Sequence, residues 1–135
     1  MDNLSRLQHA YRAWNDCKAQ CFDMWTELFA DRCDLRSAAA GRSGAEWTES
    51  RMSKDGVIDY LKGLTAQFDM IHYTMDQYTC RGDTIVAMGT MGWRNKATDK
   101  VVEMWKIDVW QFADEKAVAF HEYYDTRALL ESTTH

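Results

Sequence analysis

VVEMWKIDVWQFADEKAVAFHEYYDT, residues 101–126, is the stretch on which the reading of the whole chain turns. Its first run is rich in Val, Ile, Trp and Phe, which suit a pleated, half-buried surface. Asp114-Glu115 interrupts that run, Lys116 starts the return, and Ala117 to Tyr124 forms a second run. Asp125-Thr126 then opens a short closing helix. Side chains alternate along a strand, so Lys106, Asp108, Trp110 and Phe112 share one face. Glu103, Trp105, Ile107, Val109 and Gln111 share the other. On the return, Val118, Phe120, Glu122 and Tyr124 fall together.

Glu122 is therefore a carboxylate in the company of a Val, a Phe and a Tyr. Two readings are open for it. In an apolar cavity its charged form is disfavoured, and it can exchange a proton with a substrate near working pH. Alternatively it pairs with an Arg or Lys, or accepts from a tyrosine hydroxyl. Asp108 is the second catalytic candidate. A plain two-residue hairpin sets Asp108 opposite His121 and Ile107 opposite Glu122, so the two carboxylates face opposite ways. A bulge near the turn brings them together instead. Asp108 with His121 would make an Asp–His dyad. A surface hydrogen bond is the simpler reading of that pair.

At 135 residues the chain is one domain, residues 1–135, large enough for a full core. It holds six Trp, six Tyr, five Phe and eight Met. Such a set suits either a filled core or the wall of an apolar cavity. The net charge of −5, without a basic run, argues against a nucleic-acid partner held through phosphates. No export signal and no membrane-length apolar run is visible, so the expected compartment is the cytoplasm, with no membrane partner. All four cysteines are then expected reduced. Cys17 and Cys21 would share a helix face, while Cys33 and Cys80 stand alone. Neither the Cys nor the His residues cluster with metal-ligand spacing, so no metal site is expected.

In chain order, Leu4, Leu7, Tyr11 and Trp14 form the apolar stripe of a helix over Asn3–Cys17, capped by Asp2 or Asn3. A second helix is predicted over about Ala19–Ala30 and a short strand over Asp31–Ser37. Ala38 to Gly44 reads as a loop, either a mobile connection or the mouth of a pocket. Ser53 caps a third helix carrying Val57, Ile58, Leu61 and Leu64, with Phe68 one turn further on. The period then changes. Ile71–Arg81, Thr84–Asn95, Val101–Phe112 and Ala117–Tyr124 read as four strands with short polar connections. Helices followed by sequential antiparallel strands give an α+β layout. Long strands curled around three helices form a cone-shaped roll, a curved, mostly antiparallel sheet enclosing a pocket. Tyr11, Trp14, Tyr60 and Phe68 are the candidate pocket residues from the helices, and Trp110 and Phe120 from the strands. Tyrosine hydroxyls there would suit an oxyanion-hole role. Whichever of Trp93, Trp105 and Trp110 lie on the outer sheet face would leave an apolar patch suited to a homodimer.

Four segments carry a resemblance: WTELFADRCDLR (25–36), SKDGVIDYLKGL (53–64), IVAMGTMGWRNKATDKVVEMW (85–105) and VWQFADEKAVAFHEYYDTRALL (109–130). Together they resemble the SnoaL-like domains of the nuclear transport factor 2-like superfamily, which are similar to ketosteroid isomerase and limonene epoxide hydrolase. The resemblance implies a dimeric cone fold and a pocket for an apolar small molecule. It also places Glu122 where polyketide-cyclase members carry their acid/base aspartate. Cofactor-free proton transfer on an apolar carbonyl compound is the activity implied. A non-catalytic dimeric binding or scaffold module is the alternative, because the family hosts both on one scaffold. Two departures stand out. Glu115 replaces the usual turn glycine, which implies another turn geometry or register. The Arg-x-Asp pair of the epoxide-hydrolase branch would fall near Gly89 and Met91, neither of which carries charge.

Overall fold

A computed structural model describes residues Met1–His135. Helix α1 (Asn3–Asp16) starts where the Asp2 carboxylate accepts from the Ser5 N–H at 2.8 Å, one of the donors a helix start leaves free. Helix α2 (Asp23–Leu28) leads directly into strand β1 (Phe29–Ser37). A 3-10 turn (Glu46–Thr48) and a three-residue strand β2 (Arg51–Ser53) precede helix α3 (Lys54–Gln67). Ser53 caps α3, its hydroxyl accepting from the Gly56 N–H at 3.1 Å. Four strands follow, β3 (Phe68–Arg81), β4 (Thr84–Asn95), β5 (Val101–Ala113) and β6 (Lys116–Tyr124). Helix α4 (Thr126–Glu131) closes the chain, capped by Asp125, which accepts from the Ala128 N–H at 3.0 Å.

The sheet has six strands in the order β2-β1-β6-β5-β4-β3. The β3 to β6 meander is antiparallel, as the alternation predicts, and β1 joins β6 in parallel. That single parallel pairing makes the sheet mixed. Helix α1 packs along β3, and α3 crosses over β1 and β3, so the sheet curls around both and forms the cone. Alternation is clean along β5: Val102, Met104, Lys106, Asp108, Trp110 and Phe112 are buried, while Trp105 and Ile107 are exposed. Each large apolar side chain buried this way contributes about 1.5–3 kcal/mol.

The β5–β6 hairpin decides the site. Asp114 takes a left-handed φ of 54°, which Asp tolerates better than most residues, so the special turn residue is Asp114 and Glu115 needs no glycine geometry. Phe112 pairs with Ala117 and Gln111 with Ala119. Val118 is thus an extra residue, a bulge. From there on the register moves by one, and Asp108 stands opposite Glu122. The plain-hairpin register is not adopted, and Asp108 does not meet His121.

Three expectations are corrected. The second helix is shorter than Ala19–Ala30, because Lys18 and Ala19 take positive φ (49° and 62°) and break the helix after Cys17. That turn brings Cys17 and Cys21 to a Cα separation of 6.1 Å, and they are disulfide-bonded rather than reduced. Cys33 and Cys80 are free thiols. Phe68 begins β3 instead of extending α3. The Ala38–Gly44 loop is well tied: Ala39 is fully buried, and the Gly41 N–H donates to the Thr48 hydroxyl at 2.9 Å. No helix is long and apolar enough to cross a membrane.

Candidate functional site

Inside the cone three charged side chains meet. Lys106 and Asp108 lie two residues apart on the inner face of β5, and Glu122 faces Asp108 from β6. The Lys106 ammonium is 2.9 Å from Glu122 Oε1 and 3.2 Å from Asp108 Oδ1. Side-chain exposure is only 5% for Lys106, 0% for Asp108 and 4% for Glu122, so water screens none of them. Three tyrosines from distant elements complete the cluster. Tyr60 of α3 donates to Glu122 Oε2. Tyr73 of β3 accepts from Lys106. Tyr11 of α1 donates to Asp108 Oδ2 at 2.5 Å and accepts from the Trp110 indole N–H at 2.8 Å.

The two carboxylates are not equally served. Glu122 has both oxygens engaged, one by Lys106 and one by Tyr60. Asp108 Oδ1 has no hydrogen-bond partner, although Lys106 lies nearby. Burial, opposed by Lys106 and aided by the neighbouring Glu122, pushes the Asp108 carboxyl up to about 6. Burial alone would discharge Lys106, but Asp108 and Glu122 more than offset it and hold the ammonium well above its ordinary range. Burial, reinforced by the adjacent carboxylates, raises Tyr11, Tyr60 and Tyr73, so all three remain hydroxyl donors. The cluster therefore holds a fixed cation, one fully bonded carboxylate and one carboxylate close to taking up a proton.

Above it lies a cavity of about 60 Å³ lined by 19 residues, 17 of them hydrophobic. Tyr11, Trp14, Tyr60, Trp110, Phe120 and Glu122 are all in its wall. Asp108 is not. It sits behind the wall, reached through Tyr11 and Lys106. Phe68 also lies behind, packed edge-on against Trp47 and Trp93. The wall further includes Lys106, Tyr73 and Trp25, which the sequence reading does not single out. Lys106 had a visible signal, since a lysine in phase with Asp108, Trp110 and Phe112 is a buried cation unless the strand is flipped. Tyr73 had none, because two irregularities in the β3–β4 pairing, between Met70 and His72 and between Met75 and Gln77, scramble the alternation of β3. The indole N–H of Trp25 is buried without a partner, a state that costs about 1–3 kcal/mol.

The histidines are elsewhere. His121 pairs with Asp34 of β1 at 3.3 Å, and His72 with Glu103 at 2.9 Å, both on the side away from Glu122. Gly89 is held where a Cβ would lie 1.9 Å from the Thr74 carbonyl oxygen, so the epoxide-hydrolase arrangement has no room there.

Solved structures share this fold over nearly their whole lengths at low identity. A nuclear transport factor 2-like protein of unknown function from Burkholderia pseudomallei superposes with a TM-score of 0.83 at 18% identity, covering 100% of both chains. A candidate isomerase from Rhodopseudomonas palustris gives 0.77 at 16% identity, covering 98% of this chain and 96% of its own. A candidate SnoaL-like polyketide cyclase from Mesorhizobium loti gives 0.75 at 13% identity, covering 92% of this chain and 100% of its own. A search of curated proteins finds no match. The family model of the SnoaL-like domain matches residues 7–120, the span that holds most of α1, α2 and α3, strands β1 to β5 and the start of β6, with Lys106 and Asp108 inside it and Glu122 and α4 just beyond, and the chain belongs to that family.

Proposed function

We propose that this protein transfers a proton on an apolar carbonyl compound without a cofactor, as an isomerase or cyclase would. The observation that carries this reading is the buried Lys106 ammonium between Asp108 and Glu122 at the floor of an aromatic cavity. Glu122 is the carboxylate in the cavity wall. On displacement of Tyr60 it takes a proton from the carbon next to the carbonyl, and the C–H electron pair passes into an enolate. The enolate oxygen meets the Lys106 ammonium and the Tyr73 hydroxyl, already in place when the charge develops, and the Tyr60 hydroxyl released from Glu122. The protonated carboxyl then returns the proton at another carbon. Asp108 does not touch the substrate. As a positioning residue it adjusts the charge that Lys106 offers. The unpartnered Trp25 N–H supports a ligand that brings a hydrogen-bond acceptor.

Two structural neighbours, a candidate isomerase and a candidate polyketide cyclase, support the same class of chemistry. One observation favours a second reading, a binding module without turnover: both oxygens of Glu122 are already engaged. The outer sheet face, with Trp105 77% and Tyr123 52% exposed, supports pairing with a second copy in either case.

The test is hydrogen exchange. Cyclic ketones are incubated in deuterated water with wild type and with Glu122→Gln, and deuterium uptake is read by mass spectrometry. Uptake with wild type that is lost in a folded Glu122→Gln supports the proposal. Ketones that bind wild type without exchanging their protons would leave the binding module.

A further inference from the structure

We propose that Trp47 is the residue that decides which ligands reach Glu122, by closing the cavity to ring compounds until its indole turns aside. The inference rests on the reading of the cone as a ligand pocket. Of the residues in the cavity wall, all are buried except Trp47 and Tyr124, so the opening lies between these two. Tyr124 is anchored at its hydroxyl, 2.6 Å from Ser37 Oγ and 3.3 Å from the Ala39 N–H that donates to it. Trp47 is held differently. Its backbone carbonyl accepts from Arg51 at 3.2 Å, but one hydrogen bond, from the indole N–H to Gln67 Oε1 at 2.6 Å, keeps the ring in place.

The foot of that side chain rests on α3. A Cβ on Gly63 would lie 2.3 Å from the Trp47 Cβ. Glycine disfavours a helix interior, and here it leaves the space in which Trp47 packs. From this seat the indole meets the Tyr60 ring edge-on at 5.2 Å, and Tyr60 is the donor to Glu122. The residue at the mouth thus also braces the floor.

The free space makes the gate necessary. A dry cavity of roughly 150 Å³ accepts a benzene ring, whereas this one measures about 60 Å³ with Trp47 seated. A ring-bearing ligand gains its room by moving a side chain. Trp47 is the wall residue that borders solvent and is held by a single side-chain hydrogen bond.

Calorimetric titration of phenol and 2-naphthol into wild type, Trp47→Ala and Gln67→Ala tests the proposal. Gln67→Ala keeps the tryptophan but removes the hydrogen bond that holds its indole, so it serves if Trp47→Ala fails to fold. If the seated form dominates and the open form is about a tenth of the population, both variants bind 2-naphthol about tenfold tighter than wild type. Phenol, the smaller probe, gains less. Wild-type affinity for 2-naphthol in both variants would overturn the gate and leave the pocket reading intact. Failure of either probe to bind any of the three proteins would overturn the pocket reading, and the gate with it.

Discussion

Both faces of the sheet pair carboxylates with basic side chains, in opposite settings. On the outer face His121 meets Asp34 and His72 meets Glu103, with side chains 25–62% exposed. On the inner face Lys106 meets Asp108 and Glu122, almost without exposure. Outside, burial is the largest single influence on Asp34 and raises its carboxyl, but Arg36 and His121 together outweigh it and hold the group below its ordinary range. Inside, burial overrides a cation at much the same distance, 3.2 Å against 3.1 Å for Arg36 and Asp34, and raises Asp108. The pairs differ less in partner than in solvent. Where water remains, a cation simply stabilises a carboxylate. Where water is excluded, the cost of burying charge exceeds what one cation repays, and a proton becomes easy to bind.

The largest expected effect comes from removing the inner cation. Lys106→Met leaves two carboxylates buried without compensation and should cost about 3–5 kcal/mol in urea unfolding at pH 7.5. Adding Asp108→Asn should recover much of that loss. A Lys106→Met protein as stable as wild type would break the comparison at its centre.

Next is the pH dependence of stability. Asp108 has a folded value near 6 against an ordinary 3.8. Between these values the folded chain binds the proton and the unfolded chain does not, so this group's contribution falls as pH rises. It is fully present below about pH 4 and is lost through pH 6, a change of about 3 kcal/mol. Asp108→Asn should flatten that part of the stability profile and leave the slope from surface carboxylates. An unchanged profile would mean that Asp108 is not the proton-binding group.

The smallest effect belongs outside. Glu103→Gln should change stability by less than about 1 kcal/mol, and by less still in high salt. A loss as large as that of Lys106→Met would show the outer face to be covered in solution, as pairing with a second copy would cover it.

Much of this was legible before folding. Period-two alternation over residues 101–113 places Lys106, Asp108, Trp110 and Phe112 on one face, and that face is the buried one. Ser53 and Asp125 cap helices as their residue types suggest. Glu122 reads as inward-facing and is. Less was legible about its partners. That Asp108 faces Glu122 rather than His121 depends on Val118 as an extra residue near the turn, and alternation alone is blind to which register a hairpin adopts.

The sequence by itself determined the α+β class, the four-strand meander, the helix caps and the inward-facing carboxylate, because each follows from local periodicity or local hydrogen bonding. The tertiary structure alone decided the parallel insertion of β1, the Cys17–Cys21 bond, the meeting of Tyr11, Tyr60 and Tyr73 around one buried lysine, and the indole at the mouth. These rest on contacts between segments far apart in the chain, and on how much water the closed cone excludes. Neither is a property of any short stretch of residues.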